Sequence, residues 1–285
     1  MSINFEKVNF EYAPNTVFSY VALKDVDLSI EEGSFSAIVG VTGSGKSTLV
    51  QHLNALLLPT SGKLRVLEHE IIANEKFKNK KSLRQKVGLV FQFPEYQLFE
   101  ETIIKDVAFG PKNFKVSDEK SLEYAKRALD VVGIDESYYE KSVLDISGGQ
   151  KRRVAIAGVL AINPDVIVLD EPTAGLDPSG AIKMMELFKK LNKEYNKTII
   201  LVTHDYEHVL NYCDEVIVMS DGKVINKNNV KDFFADRELL ESLNIKTPNV
   251  ISLQYQLSDR GVILPQLYYD MPSLIKGLKR VINHE

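Results

Sequence analysis

The chain has 285 residues, 44% hydrophobic and 26% charged, the ordinary range of a globular protein with room for one large domain and an appendage. A net charge of -4 and a pI near 5.8 give no bulk-charge support for a nucleic-acid binder. The single cysteine, Cys213, excludes an intrachain disulfide and fits a reduced cytosolic setting.

No signal peptide is expected from MSINFEKVNF. The apolar run VAIAGVLAI (154–162) falls short of the roughly 18 residues that cross a bilayer, so any work at a membrane goes through a partner. Residues 3–12 alternate and are rich in aromatic and β-branched side chains, which predicts a strand. Residues 22–30 alternate again, with Leu23, Val26, Leu28 and Ile30 expected on one face. This start reads as antiparallel sheet. Tyr12 closes its strand just before a loop. It is either an aromatic that stacks on a base or a sheet residue packed into the core.

Residues 35–57 read FSAIVG-VTGSGKS-TLVQHLNALL: a buried strand, a glycine-rich turn, then a helix with apolar spacing. Gly40, Gly45, Lys46 and Ser47 fit G-x-x-x-x-G-K-[ST], the phosphate-binding loop. Gly40, Gly43 and Gly45 let successive N–H groups face one point, and the helix adds its positive end there. The loop 40–48 (Gly40, Val41, Thr42, Gly43, Ser44, Gly45, Lys46, Ser47, Thr48) is therefore expected to hold the phosphate chain of a nucleotide, which the resemblance given below implies is ATP. Lys46 reaches the β- and γ-phosphates, and Ser47 ligates Mg²⁺.

A turn at 59–62 precedes a short strand at 63–66, and 74–82 (NEKFKNKKS) reads as a basic solvated loop. The strand 87–91 ends at Gln92. FPEYQLFEE then mixes aromatics with acids, ahead of helices at 103–109, 118–132 and 136–139, a helical insertion. Ser147, Gly148, Gly149 and Gln150 form a second anion nest ahead of a helix at 151–161, which makes sense if it serves a nucleotide held by another subunit. DVIVLD (165–170) is a buried strand that delivers Asp170 and Glu171 to the carboxyl edge of a parallel sheet. Asp170 would hold Mg²⁺ and Glu171 would orient or deprotonate the attacking water. Asp177 precedes a helix from Pro178 to Tyr195. His204 follows the strand 198–203, where a γ-phosphate contact or a structural role are both open. Asp221-Gly222 predicts a hairpin.

VTGSGKST, Gln92, ISGGQ, VIVLDEP, AGLD and His204 stand in the order found in ABC-type ATPases, and residues 3–226 resemble that family. The resemblance implies Lys46 and Ser47 as Walker A, Gln92 as the Q-loop and a Mg²⁺ contact, and Ser147–Gln150 as the signature. It implies Asp170 and Glu171 as Walker B, Asp177 as the D-loop acid, His204 as the switch histidine, and Tyr12 as the adenine-stacking residue. It also implies a head-to-tail dimer with ATP between one chain's loop and the other's signature. The stretches 91–114 and 146–161, with the C-terminal extension, resemble the A-prime ATPase of energy-coupling factor transporters. That family implies a paralogous ATPase partner, a transmembrane T subunit and a substrate-binding S subunit, with the ATPase peripheral at the cytoplasmic face of the membrane. Two departures are small: Ile146 replaces the usual Leu, and Val41 stands where the subfamily often has His.

In the tail, Val250, Leu253 and Leu257 have helical spacing, as do Leu274, Leu278 and Val281. These faces dock either on their own domain or, as the resemblance favours, on the second ATPase. The expectation is an α/β P-loop ATPase with an antiparallel edge sheet. The nucleotide-binding domain spans 1–235, with a helical subdomain near 93–160, and a dimerisation segment spans 236–285. Its alternative is the ATPase of another ABC importer or, from a different class, a soluble ATPase acting on DNA or ribosomes. The latter lacks support because there is one P-loop and no sustained heptad pattern. A catalytically idle scaffold is disfavoured by the intact Lys46, Asp170, Glu171 and His204.

Overall fold

The computed structural model describes residues 3–282; residues 1–2 of the first expected domain and 283–285 of the tail lie outside the described residues. Among the described residues the strands are β1 (Ile3–Tyr12), β2 (Tyr20–Ile30), β3 (Phe35–Val39), β4 (Ser61–Val66), β5 (His69–Ile72), β6 (Val87–Val90), β7 (Val166–Asp170), β8 (Thr198–Val202), β9 (Glu215–Ser220) and β10 (Lys223–Asn229). They form two sheets, ordered β2-β1-β4-β5 and β10-β9-β3-β8-β7-β6. The first is antiparallel throughout. In the second, β9, β3, β8, β7 and β6 run parallel and β10 returns antiparallel to β9. Asp221 and Gly222 both hold positive φ in that return, as a tight hairpin turn requires.

Leu23, Val26, Leu28 and Ile30 are all buried, as expected. Strict alternation cannot place Leu23 and Val26 on one face, since three positions separate them. The β1–β2 register shifts between Phe5 and Val8 and between Val8 and Phe10, with Lys7 and Asp25 in the left-handed region. These bulges turn the strands so that both residues face inward.

The helices are α1 (Lys46–Leu53), α2 (Lys80–Lys86), α3 (Ile103–Asn113), α4 (Asp118–Val131), α5 (Gly148–Leu160), α6 (Pro178–Tyr195), α7 (Tyr206–Tyr212), α8 (Val230–Ala235), α9 (Arg237–Ser242), α10 (Asn249–Asp259) and α11 (Met271–Ile282). Three differences from expectation have physical causes. The basic stretch 74–82 is not wholly loop: α2 begins at Lys80 and turns Leu83 fully into the core. α1 stops at Leu53, because Asn54 leaves helical geometry, so Leu56 lies beyond it and is exposed. α5 begins three residues earlier than the pattern suggested, because a capping box makes Ser147 its N-cap.

Val250, Ile251 and Leu274 of the tail are buried in the same apolar cluster as Phe233 and Phe234, which also contains Phe188, Val216 and Leu201. The tail is tied by hydrogen bonds as well. Gln254 Nε2 donates to Tyr268 O at 2.7 Å, and Tyr255 OH donates to Phe234 O at 2.6 Å. Part of the amphipathic tail therefore docks on its own chain, while Leu253, Met271 and Ile275 stay exposed.

Candidate nucleotide-binding site

Because β3, β8, β7 and β6 are parallel neighbours, their carboxyl ends share one edge of the sheet. Each delivers a predicted residue there. β3 leads into Gly40, β8 into His204, β7 into Asp170 and Glu171, and β6 to Gln92, which is exposed.

Gly40 and Gly45 have φ of 148° and 101°, and both are crowded. A Cβ on Gly40 would lie 2.2 Å from Met219 O, and one on Gly45 would lie 2.7 Å from Ala22 O. The loop thus sits hard against β9 and β2, which fixes where its amides point. Val41, Thr42 and Gly43 at its crown are open to solvent. Lys46 folds back inside the loop and donates from Nζ to Gly40 O and Val41 O, each at 2.8 Å. Burial pulls its ammonium below the ordinary lysine range, while Glu171 and then Asp170 push it back up.

Ser47 donates to Asp170 Oδ2 at 3.1 Å, joining the loop to β7 across 123 positions of sequence. Burial raises the Asp170 carboxyl above the usual carboxylate range; the Ser47 hydrogen bond and the Lys46 charge oppose that rise. A hydroxyl and a carboxylate at this spacing are hard oxygen donors of the kind Mg²⁺ accepts. Among the described residues no cluster of three or more acidic, His or Cys ligands exists.

Glu171 is bent into the left-handed region with φ of 49°, and its amide donates to Val202 O at 2.9 Å. Left-handed backbone costs energy at a residue with a Cβ and gathers at functional sites. His204 meets Glu171 here: Nδ1 lies 2.7 Å from Oε1. A carboxylate oxygen accepts, so the proton of that bond sits on Nδ1. The rest of the imidazole faces solvent.

Tyr12 is partly exposed at the end of β1 and shares a hydrogen bond with Thr48 Oγ1 at 3.1 Å. Its ring meets Phe10 edge-on at 4.7 Å, and Phe10 in turn meets His52 of α1 at 5.0 Å. His52 is fully buried and donates from Nδ1 to Thr48 O at 2.7 Å; burial holds its pKa down at about 4, so it is neutral. The end of β1 is thereby tied to the helix that starts at the glycine-rich loop.

The Ser147 turn is exposed and bonded within itself. Ser147 Oγ accepts from Gln150 N at 3.3 Å, and Ser147 N donates to Gln150 Oε1 at 3.0 Å. Gly148 and Gly149 are exposed, with nothing within 4 Å of where a Cβ on either would stand, and first-turn N–H groups have no partner within their own helix. Asp177 caps α6 by accepting from Gly180 N at 3.3 Å.

Sequence reasoning missed Arg152 and Glu95. Arg152 is buried and forms a two-pronged ion pair with Glu95, at 3.0 and 2.8 Å. The two lie 57 positions apart, so no local pattern pairs them.

The profile of the ABC transporter family matches residues 23–174. The chain belongs to the ABC transporter family. The Enterococcus faecalis energy-coupling factor transporter ATP-binding protein EcfA2 is 52% identical over 94% of this chain and 92% of its own length. The Latilactobacillus sakei protein of the same description is 49% identical over the same shares. Among solved structures, cbiO1 of Clostridium perfringens, described as part of the ABC transporter complex cbiONQ, superposes with a TM-score of 0.73. It is 40% identical, covering 89% of this chain and 98% of that one. A dimeric ATP-binding cassette, MJ0796, in a post-hydrolysis state with ADP and phosphate, gives a TM-score of 0.70 at 34% identity, covering 80% and 98%. The expected P-loop ATPase fold and the resemblance to energy-coupling factor ATPases are both borne out.

Proposed function

We propose that this cassette is the ATP-hydrolysing subunit of an energy-coupling factor transporter, driving uptake of a vitamin or metal ion through transmembrane T and substrate-binding S partners. It pairs head to tail with a second, paralogous ATPase and works peripherally at the cytoplasmic face of the membrane. One observation carries the reading. Lys46, Asp170, Glu171 and His204 converge at one sheet edge, while the Ser147 turn is exposed, with side-chain bonds running between Ser147 and Gln150.

In this reading, loop 40–48 cradles the phosphates and Tyr12 stacks on the adenine. Lys46 turns from its carbonyl bonds to the β- and γ-phosphates. Ser47, Asp170 and Gln92 hold Mg²⁺, which offsets the charge of the phosphate chain when bound. Glu171 accepts a proton from the attacking water, held in aim by its bond to His204, which also reaches the γ-phosphate. Ser147–Gln150 of the partner's chain complete the anion site, and Asp177 keeps the turn after Glu171 in register. The exposed Tyr96 and Phe99, beyond Gln92, supply an apolar contact for the T subunit. No described helix is long and apolar enough to cross a membrane, which fits a division of labour with membrane partners.

Affinity purification of the tagged chain from solubilised membranes tests this. The expected result is co-purification of a second cassette and a polytopic membrane protein. Capture of ribosomes or DNA instead would overturn it.

A further inference from the structure

We propose that Arg152 is a positioning residue that locks three moving parts of the ATPase cycle into one unit: the segment after Gln92, the turn after Glu171, and the signature helix. The inference rests on the reading that the Ser147 turn completes a partner's nucleotide site.

The geometry is specific. Arg152 lies on α5, five residues beyond Ser147, with its side chain 3% exposed. Nε and Nη2 grip both oxygens of Glu95, which belongs to a short 3₁₀ turn, Pro94–Gln97, just after Gln92. Nη1 donates to Pro172 O at 3.4 Å and to Ala174 O at closer range. Those carbonyls belong to the turn that runs from Glu171 to the Asp177 cap. The guanidinium also lies 5.7 Å from the Phe93 ring centre. One side chain therefore touches the route from the Q-loop, the route from the general base, and the helix that presents Ser147.

A buried guanidinium is stable only while its acceptors stay in place. Sliding any of the three segments alone would strand a desolvated charge or a carbonyl, so they move together or not at all. Burial pushes the Glu95 carboxyl up, but the hydrogen bond and charge from Arg152 outweigh it, and the group stays ionised. Lysine would keep the charge but not the fork that spans Glu95 and two carbonyls. A displacement of the Pro94–Gln97 turn by a partner would thus reach Glu171 on this chain and the neighbouring chain's nucleotide through Ser147.

The test uses the full chain in its assembled transporter, with Arg152→Lys, Glu95→Gln and the double variant. Binding of a fluorescent ATP analogue should stay within about threefold of the parent, and KM likewise, while kcat falls by about tenfold or more in each single variant. The double variant should be no worse than Arg152→Lys alone, because the two residues act as one unit. Ordinary kcat in both single variants, at matched folded fraction, would overturn the proposal, as would losses that multiply in the double variant. Glu95→Gln keeps the question answerable if the Arg152 variant folds poorly. A parent chain that bound no ATP would instead remove the functional reading beneath it.

Discussion

Glu171→Gln separates holding ATP from cleaving it. The substitution is isosteric, and its amide oxygen still accepts from His204 Nδ1, now 2.7 Å from Oε1. The main-chain bond from residue 171 to Val202 O is unaffected, so the left-handed turn persists. What disappears is the ability to take a proton. General-base assistance is worth about 10²–10⁴ in rate, a barrier increase of about 3–5 kcal/mol. Nucleotide affinity should change much less, because Lys46 Nζ bonds to Gly40, Val41 and Ser44 and not to Glu171. Glu171 does help hold the Lys46 ammonium up against burial. Losing that charge also removes repulsion from the phosphates, so the two effects oppose and affinity should change by less than about tenfold at a screened distance. Phosphate release by the assembled complex, beside equilibrium ATP binding, reads both quantities. Near-normal turnover in this variant would refute the assignment of Glu171 as the base.

Tyr12→Ala should weaken ATP binding by about five- to tenfold, the value of one aromatic stack, whereas Tyr12→Phe loses only the Thr48 bond and stays near the parent; equal affinities for all three would place Tyr12 outside the base site. Asp170→Asn should abolish Mg²⁺-dependent hydrolysis yet stabilise the nucleotide-free chain. The sign follows from burial: the folded chain binds the Asp170 proton more tightly than the unfolded chain does, so ionisation begins to cost stability as the pH rises past the unfolded carboxyl's value near about 4 and costs it in full above the raised value. Thermal unfolding should therefore show a higher midpoint for Asp170→Asn near pH 8, with the gap closing as the pH falls below about 4. A lower midpoint at pH 8 would contradict that account.

Much of the catalytic edge was legible because its parts are local. The loop 40–48 announces itself by glycine spacing, and strands ending in Asp170 or His204 carry their residues to an edge that parallel topology makes common. What stayed hidden depends on long-range register. Leu23 and Val26 share a face only because bulges at Lys7 and Asp25 break the alternation. α2 hides in a lysine-rich stretch because a single leucine, Leu83, supplies its buried face. The Arg152–Glu95 pair joins two charges 57 positions apart, a contact no local pattern signals. The tail shows the same limit: its helical spacing predicted α10 and α11 but left open whether they dock on their own chain, where Ile251 and Leu274 join the cluster of Phe233 and Phe234.

The central claim is that one chain grips the triphosphate and a neighbour's Ser147 turn closes over it. Size-exclusion chromatography of Glu171→Gln cassettes, mixed with their partner ATPase in the presence of MgATP, tests this most directly. The account predicts a paired species that forms with ATP, not with ADP, and that Ser147→Arg abolishes while each chain still binds nucleotide. ATP-loaded chains that remain single, or pairs indifferent to Ser147→Arg, would contradict it.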